Sequence, residues 1–70
     1  MTMTEAKNLR KGQILHHTTR RNSDGSPQRW KVNGKVKTWK DGRIRIPVKH
    51  GLYTHGAIEN DSLDLVRIAA

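Results

Sequence analysis

The chain has 70 residues, of which 33% are hydrophobic and 4% aromatic, and it contains no cysteine. This length has room for one small domain, and the lack of cysteine excludes disulfides and thiolate zinc sites. Fourteen Lys and Arg against six Asp and Glu give a formal net charge of +8. No apolar run approaches the roughly 20 residues of a membrane span and the N-terminal sequence lacks the apolar stretch of an export signal, so we expect a cytoplasmic protein.

Residues 1–11 are predicted to be a flexible basic segment that precedes a single small domain of residues 12–70. Thr2 and Glu5 have the spacing of a helix capping box. Leu9 is the one apolar anchor that we identify for such a helix, and a helix this short is marginal by itself. A mobile tail is therefore expected. Its cations are Lys7, Arg10 and Lys11.

Two strands are predicted in the first half of the domain. Residues 13–19 contain Ile, Leu and Thr, which suit a pleated surface. The polar loop of residues 20–27 follows, and the second strand covers residues 29–33. Its alternation places Trp30 and Val32 on one face and Arg29 and Lys31 on the other. The dipeptide Asn33-Gly34 predicts a two-residue turn after this strand.

Two further strands are predicted around a second tight turn. Residues 35–40 form the third strand, and Asp41-Gly42 is the turn. Residues 43–49 alternate most regularly, so one face is apolar and the other basic. The apolar side chains are those of Ile44, Ile46 and Val48, and the basic side chains on the opposite side are those of Arg43, Arg45 and Lys49. Pro47 marks an edge, a bulge or a bend, because it has no N–H for the ladder.

The last strand, residues 63–68, has an ambiguous register. In a regular strand Leu63 and Leu65 would lie on one face of the sheet, whereas Val66 and Ile68 would lie on the other, so the buried face is not determined. A bulge or a short helical turn before Leu65 would resolve the conflict. The loop of residues 50–56, which has a glycine near each end, precedes this region.

These elements predict an all-β fold, a small five-stranded antiparallel barrel or a rolled sheet. Over residues 12–68 the order of strands, long polar loop and short turns resembles the Src-homology-three-like small barrels. The resemblance implies a short helical turn before the last strand, and the basic members of that class act in chromatin, ribosomal and phage settings. Residues 30–53 also resemble short proteins of phages and mobile elements. An oligonucleotide-binding fold is the alternative barrel.

The charge is segregated along the chain. Residues 7–50 contain thirteen basic and two acidic residues, a net +11, whereas residues 51–70 carry a net −2. A field of one sign attracts polyanions, of which nucleic acid is the commonest. We therefore predict non-sequence-specific nucleic-acid binding through a basic sheet face, with RNA or single-stranded DNA favoured over duplex. The candidate residues are Arg20, Arg21, Arg29, Lys31, Lys35, Lys37, Trp39, Lys40, Arg43, Arg45, Lys49 and Tyr53.

The two tryptophans have different expected roles. Trp30 is predicted to be part of the core, because the chain has few large apolar residues. Trp39 lies among cations, as a base-stacking residue in a basic groove would. A two-residue hairpin at Asp41-Gly42 would instead place Trp39 opposite Ile44 on the apolar face, so both possibilities stay open.

Other functional classes are weighed against this one. A protein-interaction module that docks an acidic partner, such as a phage or mobile-element inhibitor, is the main alternative, and the thin core also allows a homo-oligomer. The spacing of His16, His17, His50 and His55 matches no zinc pattern, so neither a metal nor a cofactor is expected. A small basic ribonuclease could use His50 and His55 with Lys49 and Tyr53, but we do not expect an enzyme.

Overall fold

The structure is a computed structural model that describes residues 1–69. It contains one short α-helix, six strands and a 3₁₀-helix before the last strand. In chain order these are α1 (Met3–Lys7), β1 (Ile14–Arg21), β2 (Pro27–Val32), β3 (Lys37–Thr38), β4 (Ile44–His50), β5 (Thr54–Glu59), the 3₁₀-helix (Asn60–Leu65) and β6 (Val66–Ile68).

All six strands belong to one antiparallel sheet. One edge of β4 pairs with β5. The other edge is shared, because β3 pairs with its first residues and β2 with Val48 and Lys49. The sheet then continues from β2 to β1 and from β1 to β6. The all-β prediction is confirmed, but over residues 1–69 the sheet has six strands rather than five and does not close into a barrel.

Alternation along the strands gives the sheet an apolar inner face. Leu15 lies opposite Trp30, and Val32 lies opposite Val48. The buried apolar residues form one cluster, which consists of Ala6, Leu9, Leu15, Val32, Ile44, Ile46, Val48, Leu63 and Val66. Trp30 is half-buried and packs against this cluster. Its indole Nε1 donates a hydrogen bond to Gln28 Oε1 at 3.1 Å, which satisfies the polar end of the ring.

The first eleven residues, for which the sequence predicts a flexible tail, contain the helix α1, and two of their side chains pack in the core. The capping box of α1 is present: Glu5 N donates to Thr2 Oγ1 at 3.1 Å, and Thr2 N donates to Glu5 Oε1 at 2.9 Å. Ala6 and Leu9 are buried in the common core. Tertiary packing of an apolar face stabilises a helix that is marginal in isolation, and Leu9 alone does not reveal that packing in the sequence.

The β1–β2 and β3–β4 hairpin loops, which contain Asp24-Gly25 and Asp41-Gly42, have the same pattern of backbone hydrogen bonds. In the β3–β4 loop, Gly42 N donates to Trp39 O at 3.1 Å and Trp39 N donates to Arg43 O at 3.0 Å. Gly42 has φ 91°, in the left-handed region where glycine is favoured. The loop therefore has three residues instead of two. Thr38, and not Trp39, lies opposite Ile44, so the hairpin that would have placed Trp39 in the core does not form.

The turn predicted at Asn33-Gly34 is wrong. A two-residue turn of that type needs positive φ at both positions, and within residues 1–69 no residue other than glycine has positive φ. Asn33 N instead donates to Pro47 O at 2.8 Å, which continues the pairing of β2 with β4. The third strand is accordingly only Lys37–Thr38.

The 3₁₀-helix removes the ambiguity of the last strand. Because this helix ends at Leu65, Leu63 and Val66 are both buried although they are three residues apart. Leu65 is left 42% exposed. Only Val66–Ile68 remains as β6, and there Val66 and Ile68 face inward on either side of Arg67.

Candidate nucleic-acid interface

The outer face of the sheet carries the side chains that alternate with the core residues. Directly paired residues of antiparallel strands lie on the same face of the sheet. Lys31 is paired with Lys49, and Lys37 with Arg45. These residues form a surface together with two arginines that flank His16 of β1 on the neighbouring strands. We call this surface the basic face. Its cations are Arg29, Lys31, Lys37, Arg45, Lys49 and Arg67.

The row through β1 joins two distant parts of the chain. His16 is paired with Arg29 of β2 on one side and with Arg67 of β6 on the other. Arg67 was absent from the sequence-based candidates because it lies in the acidic last third of the chain, where the register was ambiguous. The alternation of Val66, Arg67 and Ile68 is the signal that would have identified it.

The cations of the basic face have almost no acidic neighbours. Glu59 is paired with Arg45, and it is the one acid among the paired outer-face residues of the described chain. The single ion pair within residues 1–69 joins Arg43 Nε to Asp41 Oδ2 at 2.8 Å, outside the basic face. Five of the six cations are exposed and Lys49 is half-buried. The positive charge of this face is therefore open to an external anion.

The two acids of the basic stretch serve the hairpin loops. Asp24 Oδ1 accepts hydrogen bonds from Ser26 Oγ at 2.6 Å and Ser26 N at 3.0 Å. Both bonds favour the carboxylate and lower the pKa of Asp24. Asp41 likewise accepts from the backbone and the guanidinium of Arg43. Neither acid lies among the paired residues of the basic face.

Trp39 and Arg43 form a separate feature at the β3–β4 loop. Trp39 is 42% exposed. The guanidinium carbon of Arg43 lies 5.2 Å from the centre of its ring, in cation–π contact. Asp41 and Trp39 thus hold Arg43 in the loop that precedes β4. Arg45 has neither contact and is an exposed member of the basic face.

The remaining candidates lie outside the rows of residues that define the basic face, although Arg21 is itself paired with Pro27 of β2, beyond an irregularity in the register of β1. Arg20 and Arg21 are exposed at the end of β1, and Lys35 and Lys40 are exposed between strands. Tyr53 is 89% exposed in the β4–β5 loop, beside Leu52. The structure thus brings together Arg29, Lys31, Lys37, Arg45 and Lys49 of the sequence-based candidates.

The histidines of the ribonuclease hypothesis do not converge. His55 is paired with Lys49 on the outer face, whereas His50 is paired with Thr54 on the opposite face. The ring of His50 lies 5.2 Å from that of Trp30, and its Nδ1 donates to Arg29 O at 2.8 Å. General acid–base cleavage needs two groups within reach of one phosphate, and these two do not provide that geometry. In residues 1–69 no three His, Asp or Glu side chains form a cluster able to hold a metal.

Comparison with protein-family models, with curated proteins and with solved structures gives no match for this chain. Neither helix of residues 1–69 has the length and apolarity needed to cross a membrane.

Proposed function

We propose that the protein binds nucleic acid through the basic face, by contact with phosphates and without sequence specificity. The observation that supports this most is the direct pairing of Lys31 with Lys49 and of Lys37 with Arg45. Like charges in directly opposite positions destabilise a sheet, so these pairs oppose folding. A bound polyanion would relieve the repulsion in both pairs, so the paired cations are unfavourable in the free protein and favourable in a complex.

Contact with the backbone follows from the composition of this face. Phosphate contacts position a protein on nucleic acid but carry no sequence information. The paired outer-face residues include neither tryptophan nor tyrosine, so within the described chain the aromatic rings of this face are the small imidazoles of His16 and His55. The two helices of residues 1–69 have five and six residues, too short for the recognition helix of a major-groove reader.

The wider assignment is part of the same proposal. A polar loop between β1 and β2 and a 3₁₀-helix before β6 are elements that the Src-homology-three-like resemblance implied. They support that resemblance in element order, and the basic members of that class act in chromatin, ribosomal and phage settings. A cytoplasmic location and an origin in a phage or mobile element belong to the proposal on the grounds given by the sequence.

The salt dependence of binding tests this function. Filter binding of single-stranded and duplex oligonucleotides would be measured over a series of salt concentrations. About four to six phosphate contacts on a single strand predict a slope of log K against log salt of roughly −3 to −4. A flat salt dependence would exclude phosphate binding as the source of affinity.

A matched pair of variants locates the surface. Lys49→Gln removes one cation of the basic face, and we expect a slope shallower by about 0.7 with weaker binding to every sequence. Asn60→Asp makes the same change of net charge in the 3₁₀-helix, outside the basic face, so its effect should be much smaller. Equal effects of the two variants would show that only net charge matters. No retention of any nucleic acid near physiological salt would favour the alternative, docking of an acidic protein.

A further inference from the structure

A second basic surface lies between α1 and the β3–β4 hairpin. Two depressions there, of about 560 and 370 Å³, have Lys7 and Val36 as common lining residues. We call this surface the tryptophan groove. Its cationic and aromatic lining residues are Lys7, Arg10, Lys11, Lys35, Trp39 and Arg43. None of these residues belongs to the basic face.

The tryptophan groove differs in chemistry from the basic face. Leu9 and Val36 supply apolar surface between its cations. Trp39 contributes an aromatic ring that is 42% exposed and is contacted by the guanidinium of Arg43. Asp41 binds that guanidinium through Nε at 2.8 Å. The guanidinium therefore lies over the Trp39 ring, and part of the side chain remains exposed to solvent.

Packing of α1 positions the cations of this groove. The burial of Ala6 and Leu9 holds the helix against the core, which places Lys7 beside Val36 and Trp39. The turn after α1 is closed by two hydrogen bonds between Arg10 and Gln13, at 3.1 and 3.2 Å. The basic segment of residues 7–11 is thereby part of a formed surface.

We propose that the tryptophan groove binds unstacked bases of a single-stranded nucleic acid, with Trp39 as the stacking platform. An aromatic side chain in a positively charged groove is the combination that single-strand-binding proteins use, because every base has a π-face and the cations follow the backbone. The proposal rests on the proposed function for the class of ligand, but it uses different residues.

Two surfaces of different chemistry predict different preferences. The basic face contacts phosphates, which single strands and duplexes both present. Trp39 can stack only on a base that has left the duplex stack, so the groove adds affinity for single strands alone. Preference for a single strand is thus a property of the tryptophan groove and not of the sheet.

Tryptophan fluorescence tests the groove directly, since Trp30 and Trp39 are the two tryptophans of the chain. Trp30→Phe leaves Trp39 as the reporter, and Trp39→Phe leaves Trp30. Each variant would be titrated with oligo(dT) and with a duplex of the same length. We expect oligo(dT) to quench Trp39 strongly, the duplex to leave it nearly unchanged, and Trp30 to respond little to either.

Affinity measurements complete the test. Trp39→Ala should weaken oligo(dT) binding by about 5- to 150-fold, the equivalent of 1–3 kcal/mol per stacked base, and should leave duplex affinity unchanged. Lys49→Gln should weaken both. If Trp39→Ala weakens both equally or neither, or if Trp39 is not quenched, the groove proposal is wrong.

The same measurements separate the two proposals. If Lys49→Gln weakens binding while oligo(dT) leaves the fluorescence of Trp39 unchanged, the proposed function stands and the groove proposal fails. Should Trp39 respond to oligo(dT) while Lys49→Gln has no effect, the basic face is not the phosphate site. Circular dichroism of every variant checks folding, and if Trp30→Phe does not fold, the Trp39 signal is obtained as the difference between the unmodified protein and Trp39→Phe.

Discussion

Lys31 of β2 lies directly opposite Lys49 of β4, so two lysine side chains leave the outer face of the sheet from facing positions. On the inner face the adjacent pair is Val32 with Val48, both buried. The same two strands thus place an apolar pair in the core and a repulsive pair on the surface. A positive charge at residue 49 therefore favours the proposed binding of nucleic acid but lowers the stability of the sheet.

Lys49→Glu should raise stability and lower nucleic-acid affinity. A carboxylate opposite Lys31 replaces repulsion by attraction, which is worth about 0.2–1 kcal/mol in the free energy of unfolding. Thermal melting at low salt measures the gain, which should shrink at high salt because the charges are screened. Lys35→Glu makes the same charge change outside the paired strands and should leave the melting temperature nearly unchanged. A lower melting temperature for Lys49→Glu would contradict the pairing.

Ile46→Ala and Arg45→Ala test the two faces of β4 at consecutive positions. Ile46 is fully buried opposite Ile58, so its truncation should cost about 2–5 kcal/mol of unfolding free energy. Arg45 is exposed, so its truncation should cost less than about 0.5 kcal/mol while it weakens nucleic-acid binding. Thermal melting and filter binding of both variants measure the effects. Early melting of Arg45→Ala with normal binding would mean that the faces are inverted.

Gly42→Ala should destabilise the β3–β4 hairpin. No atom lies within 4 Å of the Cβ that alanine would add, and φ at this position is +91°. The cost therefore comes from the left-handed backbone and not from a clash, and it amounts to about 1–2 kcal/mol. Asparagine tolerates this conformation better, so Gly42→Asn should melt between the other two proteins. A melting temperature for Gly42→Ala equal to that of the unmodified protein would refute this account.

His17 should make stability fall as the pH is lowered. Partial desolvation and the nearby Arg20 charge lower the pKa of His17 below its ordinary 6.5, so the unfolded chain takes up the proton first. Stability contributed by the neutral ring is then lost from about pH 6.5 downward, towards the folded-state pKa. The neutral Nδ1 also accepts hydrogen bonds from Thr19 N and Arg20 N, at 3.1 and 2.9 Å.

His17→Asn offers an uncharged acceptor in place of that nitrogen. Urea unfolding between pH 7.5 and pH 5 should show a smaller loss of stability for this variant than for the unmodified protein. Equal pH dependence of the two proteins would show that His17 does not contribute to the loss of stability.

Local patterns in the sequence were sufficient for much of the fold. Alternation assigned the faces of β2 and β4, and the structure confirms that Val32, Ile44, Ile46 and Val48 are buried. Asp41-Gly42 predicts a tight turn, and Thr2 and Glu5 have the spacing of the capping box that forms, although a mobile tail is the prediction for that segment. Each of these depends on a few neighbouring residues, because side-chain period and left-handed φ are properties of a short stretch of backbone.

Such patterns predict only part of the candidate site. Lys31 and Lys49 could each be assigned to an exposed face, but their direct opposition depends on β2 pairing with β4. Arg67 joins Arg29 only because β1 lies between β2 and β6. Strand neighbours are chosen by the burial of the whole inner face, and no pattern within one strand specifies its partner.

Tertiary structure also decided between local alternatives. Asn33-Gly34 has the composition of a tight turn, yet Asn33 N donates to Pro47 O, and the chain continues along the same edge of β4 to β3. The segment that holds Lys7 was predicted to be mobile, yet Ala6 and Leu9 fill part of a core that is short of large apolar residues. In both cases long-range hydrogen bonds and apolar burial outweigh a local preference, because local propensities amount to about 1 kcal/mol or less and burial of a single large apolar side chain contributes more.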